Sequence, residues 1–129
     1  IKLIGLGTWD DPNIWREPSL NGAWFPSAPA FEMQDIDTRY QRQYGQAPTS
    51  LGAVAYDAAA LSMALSQDGE LSPSELLSED GFAGLNGLFR FKFDGLAERA
   101  LAIYEIAPTS ETGITEVQPV PESFVPVIN

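Results

Sequence analysis

The sequence predicts an α/β protein, because strand-like and helix-like segments follow one another along the chain. An apolar run, Ile1–Gly7, opens the sequence and is typical of a buried strand. Two segments between residues 29 and 66 then place apolar side chains at helical spacing. Apolar and polar residues alternate at Leu88–Phe93, which is the spacing of a strand. With 44% hydrophobic and 11% aromatic residues, the chain can form a core.

The composition excludes several classes of function. Among its 129 residues the chain has no cysteine and no histidine, which excludes a disulfide, a thiol nucleophile, the usual zinc sites and a Ser-His-Asp triad. We therefore expect no enzyme, no metal site and no cofactor. Seven basic and 18 acidic side chains give a net charge of −11, which argues against nucleic acid and against an anionic membrane surface as partners.

The first quarter of the chain is predicted to contain two short strands separated by a polar loop. Ile1–Gly7 is the first strand, and Gly22–Pro26 is the second, which ends at a proline that cannot donate to a sheet. Between them, Asp11 is placed to cap a short helical turn that starts at Pro12.

The next segment, about Pro29–Tyr44, is predicted to form an amphipathic surface helix. Its apolar residues recur at steps of three and four, which places them on one face. Gly45 is a suitable C-terminal stop, and Pro48 prevents the helix from continuing.

A second helix is predicted over about Ser50–Ser66, with Thr49 or Ser50 as its N-cap. This helix is apolar nearly all round, and Asp57 is its one charged residue. Such a helix is usually buried on several sides, so it needs neighbours that a short chain does not fully supply. The predicted core stripe consists of Leu51, Val54, Ala58, Leu61 and Leu65.

The last part of the chain is predicted to contain strands and turns. Ser72 and Glu75 have the spacing of a capping box, and Asp94–Gly95 is a turn dipeptide. Several prolines after Pro108 predict an irregular tail. The predicted elements are a short helix up to about Leu77, a loop over Gly81–Gly87, strands over Leu88–Phe93 and Leu101–Ile106, and one short strand near Ile114–Val117.

Three features are candidates for function. Gly5–Asp10 begins like a dinucleotide fingerprint, but Asp10 occupies the third glycine position, so a nucleotide is not expected. Trp9 lies in a polar loop directly after a strand, which is where open α/β sheets place their ligands. For Trp9, a role in ligand binding and a role in covering the core are equally open. Asp57 must find hydrogen-bond donors, and a structural bond to neighbouring backbone is favoured over a ligand or catalytic role.

The order and spacing of five segments resemble a known family. These segments are Lys2–Gly5 leading to Asp11–Pro12, Gly22–Phe25, Arg39–Tyr44 with Gly45 and Pro48, Ala55–Ala58, and Gly81–Phe91 leading into Asp94–Gly95. Together they resemble the C-terminal third of a type I periplasmic solute-binding protein of the leucine/isoleucine/valine-binding kind. The resemblance covers about residues 1–106.

The resemblance implies a C-terminal fragment of a bilobed α/β fold with Rossmann-like lobes. Residues 1–106 would belong to both lobes of the binding-protein domain, and residues 107–129 would form a Pro-rich C-terminal tail. The first and last strands would lie in one lobe and the helices around Tyr40 and Tyr56 in the other, with crossings near Trp24 and near Phe89–Phe93. A fragment of this kind leaves edges uncovered, so we expect either a longer parent chain or self-association of copies.

The resemblance also implies a ligand site. In amino-acid receptors of this family, an acidic residue in the loop after the first strand holds the ligand ammonium. That position falls near Gly7, where this sequence has Thr8, Trp9 and Asp10 instead. We hypothesise that Asp10 replaces the acid and that Trp9 packs on the ligand through cation–π or apolar contact. The groups that hold the ligand carboxylate would lie outside this segment, so the segment alone should bind nothing tightly.

The function implied by the resemblance is that of a periplasmic receptor of an ABC importer. It would bind an amino acid or similar small polar solute between its lobes and deliver it to the transporter's membrane subunits. An exported location follows from the family, and no signal sequence is present in this segment. The alternative is a lipoprotein of the same fold that regulates cell-wall synthesis through protein contacts, as penicillin-binding protein activators do.

Overall fold

The computed structural model describes residues 1–28, 34–67, 69 and 72–124, with backbone alone for 34–37 and 50. The chain divides into two compact units, each built from two separate stretches. Unit 1 comprises Ile1–Pro29 and Leu101–Pro121, and unit 2 comprises Ala30–Ala100 and Glu122–Asn129. The expected division into residues 1–106 and a tail over 107–129 stays a prediction.

The helices and strands alternate irregularly along the chain, which confirms the α/β class. Among the described residues, no helix combines the length and the apolarity that crossing a membrane requires. In chain order the elements are α1 (Pro12–Trp15), β1 (Trp24–Ser27), α2 (Gln34–Tyr44), α3 (Ser50–Leu65), α4 (Pro73–Leu76), β2 (Phe82–Gly84), β3 (Gly87–Phe91), β4 (Ala97–Arg99), β5 (Ala102–Ile106) and β6 (Ile114–Gln118).

Unit 1 is built on an antiparallel sheet in the order β1-β5-β6. β6 confirms the short strand predicted in the tail. The predicted strand Ile1–Gly7 is reduced to a single parallel bridge between Ile4 and Trp24. In that bridge the amide of Trp24 donates to the Leu3 carbonyl (2.9 Å), and the amide of Gly5 donates to the Trp24 carbonyl (2.7 Å). The segment is therefore extended but pairs on one side only.

β1 runs through Pro26 to Ser27, so the prediction that the proline ends the strand is wrong. The reason lies in the alternation of backbone directions along a strand. The amide of Trp24 points away from β5 and toward Leu3, and the missing amide of Pro26 would point the same way. The ladder to β5 therefore loses no hydrogen bond at Pro26.

The core of unit 1 lies on one face of this sheet. Phe25 and Tyr104 stack at its centre with their ring centroids 5.8 Å apart. The segment between Gly7 and Leu20 covers this face, with α1 capped by Asp11 as predicted. The buried members are Ala23, Phe25, Ala102, Tyr104 and Ile106, and the partly buried side chains packed on them are Trp9, Ile14, Trp15, Leu20, Ile114 and Val120.

An ion pair ties the opening segment to the sheet of unit 1. Lys2 Nζ lies 3.0 Å from Glu105 Oε2 and donates to the carbonyl of Gly22 (2.8 Å). The same carboxylate accepts a hydrogen bond from Trp24 Nε1 (2.8 Å), and the lysine lies over the Trp24 ring. The hydrogen bonds from Trp24 and then Lys2 hold the pKa of Glu105 below its ordinary value.

Unit 2 contains the two long helices. Of the helix predicted over Pro29–Tyr44, the described part is α2, which begins at Gln34, and residues 29–33 lie outside the described residues. Gly45 follows α2 with φ of 74°, and its amide donates to Gln41, which confirms the predicted stop. At α3, the Thr49 side chain accepts from the amide of Gly52 (3.1 Å), which confirms Thr49 as the N-cap.

The predicted core stripe of α3 is wrong in its first part, where Leu51, Val54 and Ala58 are exposed, whereas Leu61 and Leu65 are half-buried. Leu51 and Val54 are 77% and 40% exposed, whereas Ala53 and Asp57 are buried. Alanine and leucine are spread so evenly around this helix that the apolar pattern does not indicate which face is buried. The hydrogen bonds of Asp57 select the buried face instead, since a carboxylate on that face must reach its donors.

The segment predicted as a loop at Gly81–Gly87 is largely a β-hairpin. β2 and β3 pair from Phe82↔Phe89 to Gly84↔Gly87, which leaves a two-residue turn. β3 then turns at Asp94–Gly95, as predicted, and pairs with β4. α4 is present, but the Ser72 hydroxyl contacts the Ser74 hydroxyl and makes no cap.

Asp57 joins α3 to the tip of the β2–β3 hairpin. Its carboxylate accepts hydrogen bonds from the backbone amides of Leu85 (2.7 Å) and Asn86 (3.4 Å). Arg99 lies 3.9 Å from the carboxylate, and a Cβ at Gly84 would overlap it. The structural interpretation of Asp57 is therefore confirmed.

We expect Asp57→Ala to lower the free energy of unfolding by about 2 kcal/mol, since it leaves two backbone amides without their charged acceptor. Urea unfolding followed by the helical circular dichroism signal measures this effect, because both long helices belong to unit 2. Asp80→Asn, at an exposed turn, is the control and should change little. Equal stability of Asp57→Ala and wild type would contradict the joining role.

The stability of unit 1 should fall as the pH drops below the ordinary pKa of 4.5 for Glu105. Because the folded pKa is lowered, the ionised carboxylate stabilises the folded state above that pH and loses this effect on protonation in the fold. Urea unfolding followed by tryptophan fluorescence measures unit 1, which contains all three tryptophans. Glu105→Gln should flatten the pH profile, and an unchanged profile would refute the assignment.

Candidate functional site

The three predicted site residues form one exposed turn of unit 1. Gly7–Trp9 is a single 3-10 turn that follows the extended opening segment. The amide of Trp9 donates to the Leu6 carbonyl (2.9 Å), and the amide of Asp10 donates to the Gly7 carbonyl (3.1 Å). Thr8 and Asp10 are exposed, and Trp9 is half-buried. The turn therefore presents a hydroxyl, an indole and a carboxylate within three consecutive residues.

The indole of Trp9 lies directly against the backbone of Gly5. A Cβ built at Gly5 would overlap the ring atoms Cδ2 and Cε3 of Trp9. At Gly7, by contrast, a Cβ would meet only the Pro26 carbonyl at 3.4 Å, which is an ordinary contact. Glycine at position 5 is thus needed for this ring position.

The backbone of Trp9 is also held in place. Its carbonyl accepts hydrogen bonds from the amide of Asp11 (2.8 Å) and from Nε1 of Trp15 (2.9 Å). Trp15 is the last residue of α1 and packs on the core. Ring and backbone of Trp9 are therefore both fixed by unit 1, which pre-organises the turn.

The two adjacent acids of the turn have different roles. Asp11 accepts from the amide (2.8 Å) and the side-chain amide (2.9 Å) of Asn13, so it is engaged at the start of α1. Asp10 accepts from the hydroxyl of Ser27, a residue only 9% exposed at the end of β1. In the described part of the chain, no protein group bonds to the second oxygen of Asp10, and Asp10 as a residue is exposed.

Sequence reasoning missed Ser27 and Gly5 as supports of the turn. Ser27 lies 17 residues from Asp10 and stands at the end of a strand without a recognisable motif. Gly5 belongs to the glycine pair of the rejected dinucleotide pattern, and its role is to seat Trp9. No spacing rule connects either residue with the turn.

The arrangement suits a ligand that carries an ammonium group. A carboxylate next to a half-exposed indole can accept an N–H hydrogen bond while the ring face attracts the cation. Among the described residues, no group of three or more acidic side chains is placed to hold a metal ion.

Unit 2 contains a groove of about 660 Å³ between α3 and the β2–β3 hairpin. Aromatic and aliphatic side chains dominate its lining, and Asp57 is already engaged by backbone amides. The groove offers little to a small polar solute and is not the site suggested by the turn. The lining includes Tyr56, Ala60, Leu61, Ala64, Phe82 and Phe89.

The chain has the fold of one part of a type I periplasmic-binding protein. The solved structure that shows this is the leucine binding protein LivK of Thermotoga maritima, with a TM-score of 0.52 and 18% sequence identity. The match covers 91% of this chain and 36% of that protein, so the chain spans about a third of its length. No protein-family model and no curated protein sequence matches. The ligand roles of Thr8, Trp9 and Asp10 stay a prediction.

We expect Gly5→Ala to displace the Trp9 indole and to destabilise unit 1 by about 1–3 kcal/mol, as overpacking does. Near-ultraviolet circular dichroism detects the moved ring, and urea unfolding followed by tryptophan fluorescence gives the free energy. Gly7→Ala is the matched control and should leave the spectrum unchanged. Identical spectra for wild type and Gly5→Ala would show that the ring is not seated on Gly5.

Proposed function

We propose that this chain contributes the Thr8–Asp10 turn to the solute site of a binding receptor for an amino acid or similar small polar solute. The observation that carries the proposal is the pair of a half-buried indole fixed on Gly5 and an exposed Asp10 whose carboxylate is held by Ser27. The likeness of the fold to a leucine binding protein supports it.

Each side chain of the turn has a separate role in the proposed site. Asp10 accepts a hydrogen bond from the solute ammonium and neutralises its charge. Trp9 packs on the same end of the solute through cation–π or apolar contact. Thr8 offers a hydroxyl that donates or accepts one further hydrogen bond. Ser27 and Gly5 hold Asp10 and Trp9 in position without touching the solute.

The receptor role that we propose is extracytoplasmic, with delivery of the solute to the membrane subunits of an ABC importer. The similarity of the fold to that of a leucine binding protein supports this proposal. The proposed activity is binding without chemical turnover. No observation among the described residues favours the alternative of a cell-wall regulator.

The turn alone should bind solute weakly. It offers a carboxylate and an aromatic face for an ammonium, but no cationic side chain for a solute carboxylate. One such contact supplies a small part of the roughly 8 kcal/mol that micromolar affinity requires. We therefore expect a dissociation constant of about 1 mM or weaker for the 129-residue chain.

The experiment is an NMR titration of the ¹⁵N-labelled chain with L-leucine and two of its derivatives. L-Leucine and L-leucine methyl ester keep the ammonium and should shift the signals of the Trp9 indole and the Thr8 and Asp10 amides. N-Acetyl-L-leucine lacks the ammonium and should not shift them, because it cannot pair with Asp10. Asp10→Asn should lose the response to both ammonium compounds.

Asp11→Asn is the matched control, since asparagine also caps helices well and the fold is kept. It should respond to leucine as the wild type does. Equal shifts with N-acetyl-L-leucine, or an unchanged response in Asp10→Asn, would refute the proposed site.

A further inference from the structure

The groove of unit 2 is an apolar surface that is open within the described residues. It lies between α3 and the β2–β3 hairpin and has a volume of about 660 Å³. Of its aromatic lining, Tyr56 is 55% exposed and Phe82 is half-buried. Open apolar surfaces of this size usually mark a place where another part of a protein or a partner binds.

The dimensions of the groove suit a short extended segment. On one side the lining follows α3 from Tyr56 to Ala64, which is about 12 Å at the helical rise of about 1.5 Å per residue. On the other side it follows the consecutive residues 81–85, which span about 13 Å at the rise of a strand. Four residues in extended conformation have this same length, about 13 Å.

The described part of unit 2 ends beside this groove, at Phe124. A Cβ built at Gly81 would meet the Cε2 atom of Phe124 at 2.9 Å, and Gly81 itself lines the groove. Gly81 has φ of 74°, so the backbone there also favours glycine. The ring of Phe124 is half-buried. The chain therefore reaches the Gly81 end of the groove.

Arg90 holds the ring of Phe124 at this position. Its guanidinium carbon lies 4.5 Å from the ring centroid, in cation–π contact. The guanidinium is itself positioned, because Nε donates to the carboxylate of Glu98 (2.6 Å) and Nη1 donates to the carbonyl of Glu79 (3.3 Å). Phe124 is therefore an anchor for the residues that follow it.

The residues directly after Phe124 have the same chemistry as the groove. Val125, Pro126, Val127 and Ile128 are consecutive apolar residues without a charge, in a chain whose net charge is −11. Proline and β-branched residues favour extended backbone. Their number equals the four residues that the groove can hold.

We propose that Val125–Ile128 binds in the groove of unit 2 as an extended segment, with Phe124 as its anchor. Because the anchor is seated next to the groove, the binding is intramolecular and has an effective concentration in the millimolar range or above. A second copy or another polypeptide has no such advantage and must displace the segment first. The inference is independent of the solute proposed above.

NMR spectroscopy of the 129-residue chain tests the proposal. Nuclear Overhauser effects should connect the methyl groups of Val127 and Ile128 with ring protons of Tyr56 or Phe82. In an equal mixture of ¹³C-labelled and unlabelled chains, a spectrum that records only intermolecular effects should not contain them.

Two variants carry a matched change of charge. Val127→Asp should abolish these effects, since a carboxylate without a partner is costly to bury in an apolar groove. Ser123→Asp adds the same charge at an exposed position before the anchor and should keep them. Phe124→Ala should reduce their intensity, because the segment then loses its anchor.

The absence of these effects in the 129-residue chain would overturn the proposal. Identical methyl signals of Leu61 and Leu85 in this chain and in one that ends at Phe124 would also overturn it, because a filled groove must change the surroundings of both leucines. Effects seen only between molecules would assign the groove to a second copy. Because no readout involves a solute, failure here leaves the proposed solute site standing, and failure of the leucine titration leaves this segment standing.

Discussion

The seat of the Trp9 indole on the Gly5 backbone is the constraint on which unit 1 and its candidate site both depend. The contact exists because position 5 has no side chain, and it brings the ring over the face of the sheet where the core lies. The carbonyl of Trp9 then accepts a hydrogen bond from Trp15 Nε1, which attaches the end of α1 to the Trp9 turn. Trp9 therefore packs on the core with part of its side chain, while the residue as a whole stays half-exposed.

Carboxylates provide the long-range connections in this acidic chain. Asp57 reaches the amide of Leu85, Glu105 accepts from Trp24, and Asp10 accepts from a serine 17 residues later. Each carboxylate accepts a hydrogen bond from a distant segment, which a hydrophobic side chain in its place could not do. Each bond therefore fixes the position of one segment relative to another. The bond of the buried Asp57 also adds stability. The bonds of the exposed Asp10 and the part-exposed Glu105 specify position more than they add stability, since charge-assisted bonds with exposed members are weak in water.

The sequence predicts local features well and tertiary choices poorly. Gly45, Thr49 and the Asp94–Gly95 turn are confirmed because their signals act within a few residues. The face that α3 buries could not be predicted, because its apolar residues surround the helix and a hydrogen bond of Asp57 decides the direction. For the candidate site, the resemblance pointed to the turn, but its support by Ser27 depends on the fold and has no sequence signal.

The assembly of unit 1 from both ends of the sequence has a consequence for the order of folding. Trp24 and Glu105 are separated by 81 residues, so the sheet of unit 1 closes a long loop, whereas the hairpins and helices of unit 2 form between near neighbours. Loop closure of that length is costly in entropy and slow. On the ribosome, the first stretch of unit 2 emerges before β5 does. The turn at Trp9 is synthesised before unit 2, and it packs on Ala102, Tyr104 and Ile106 only after β5 has been made.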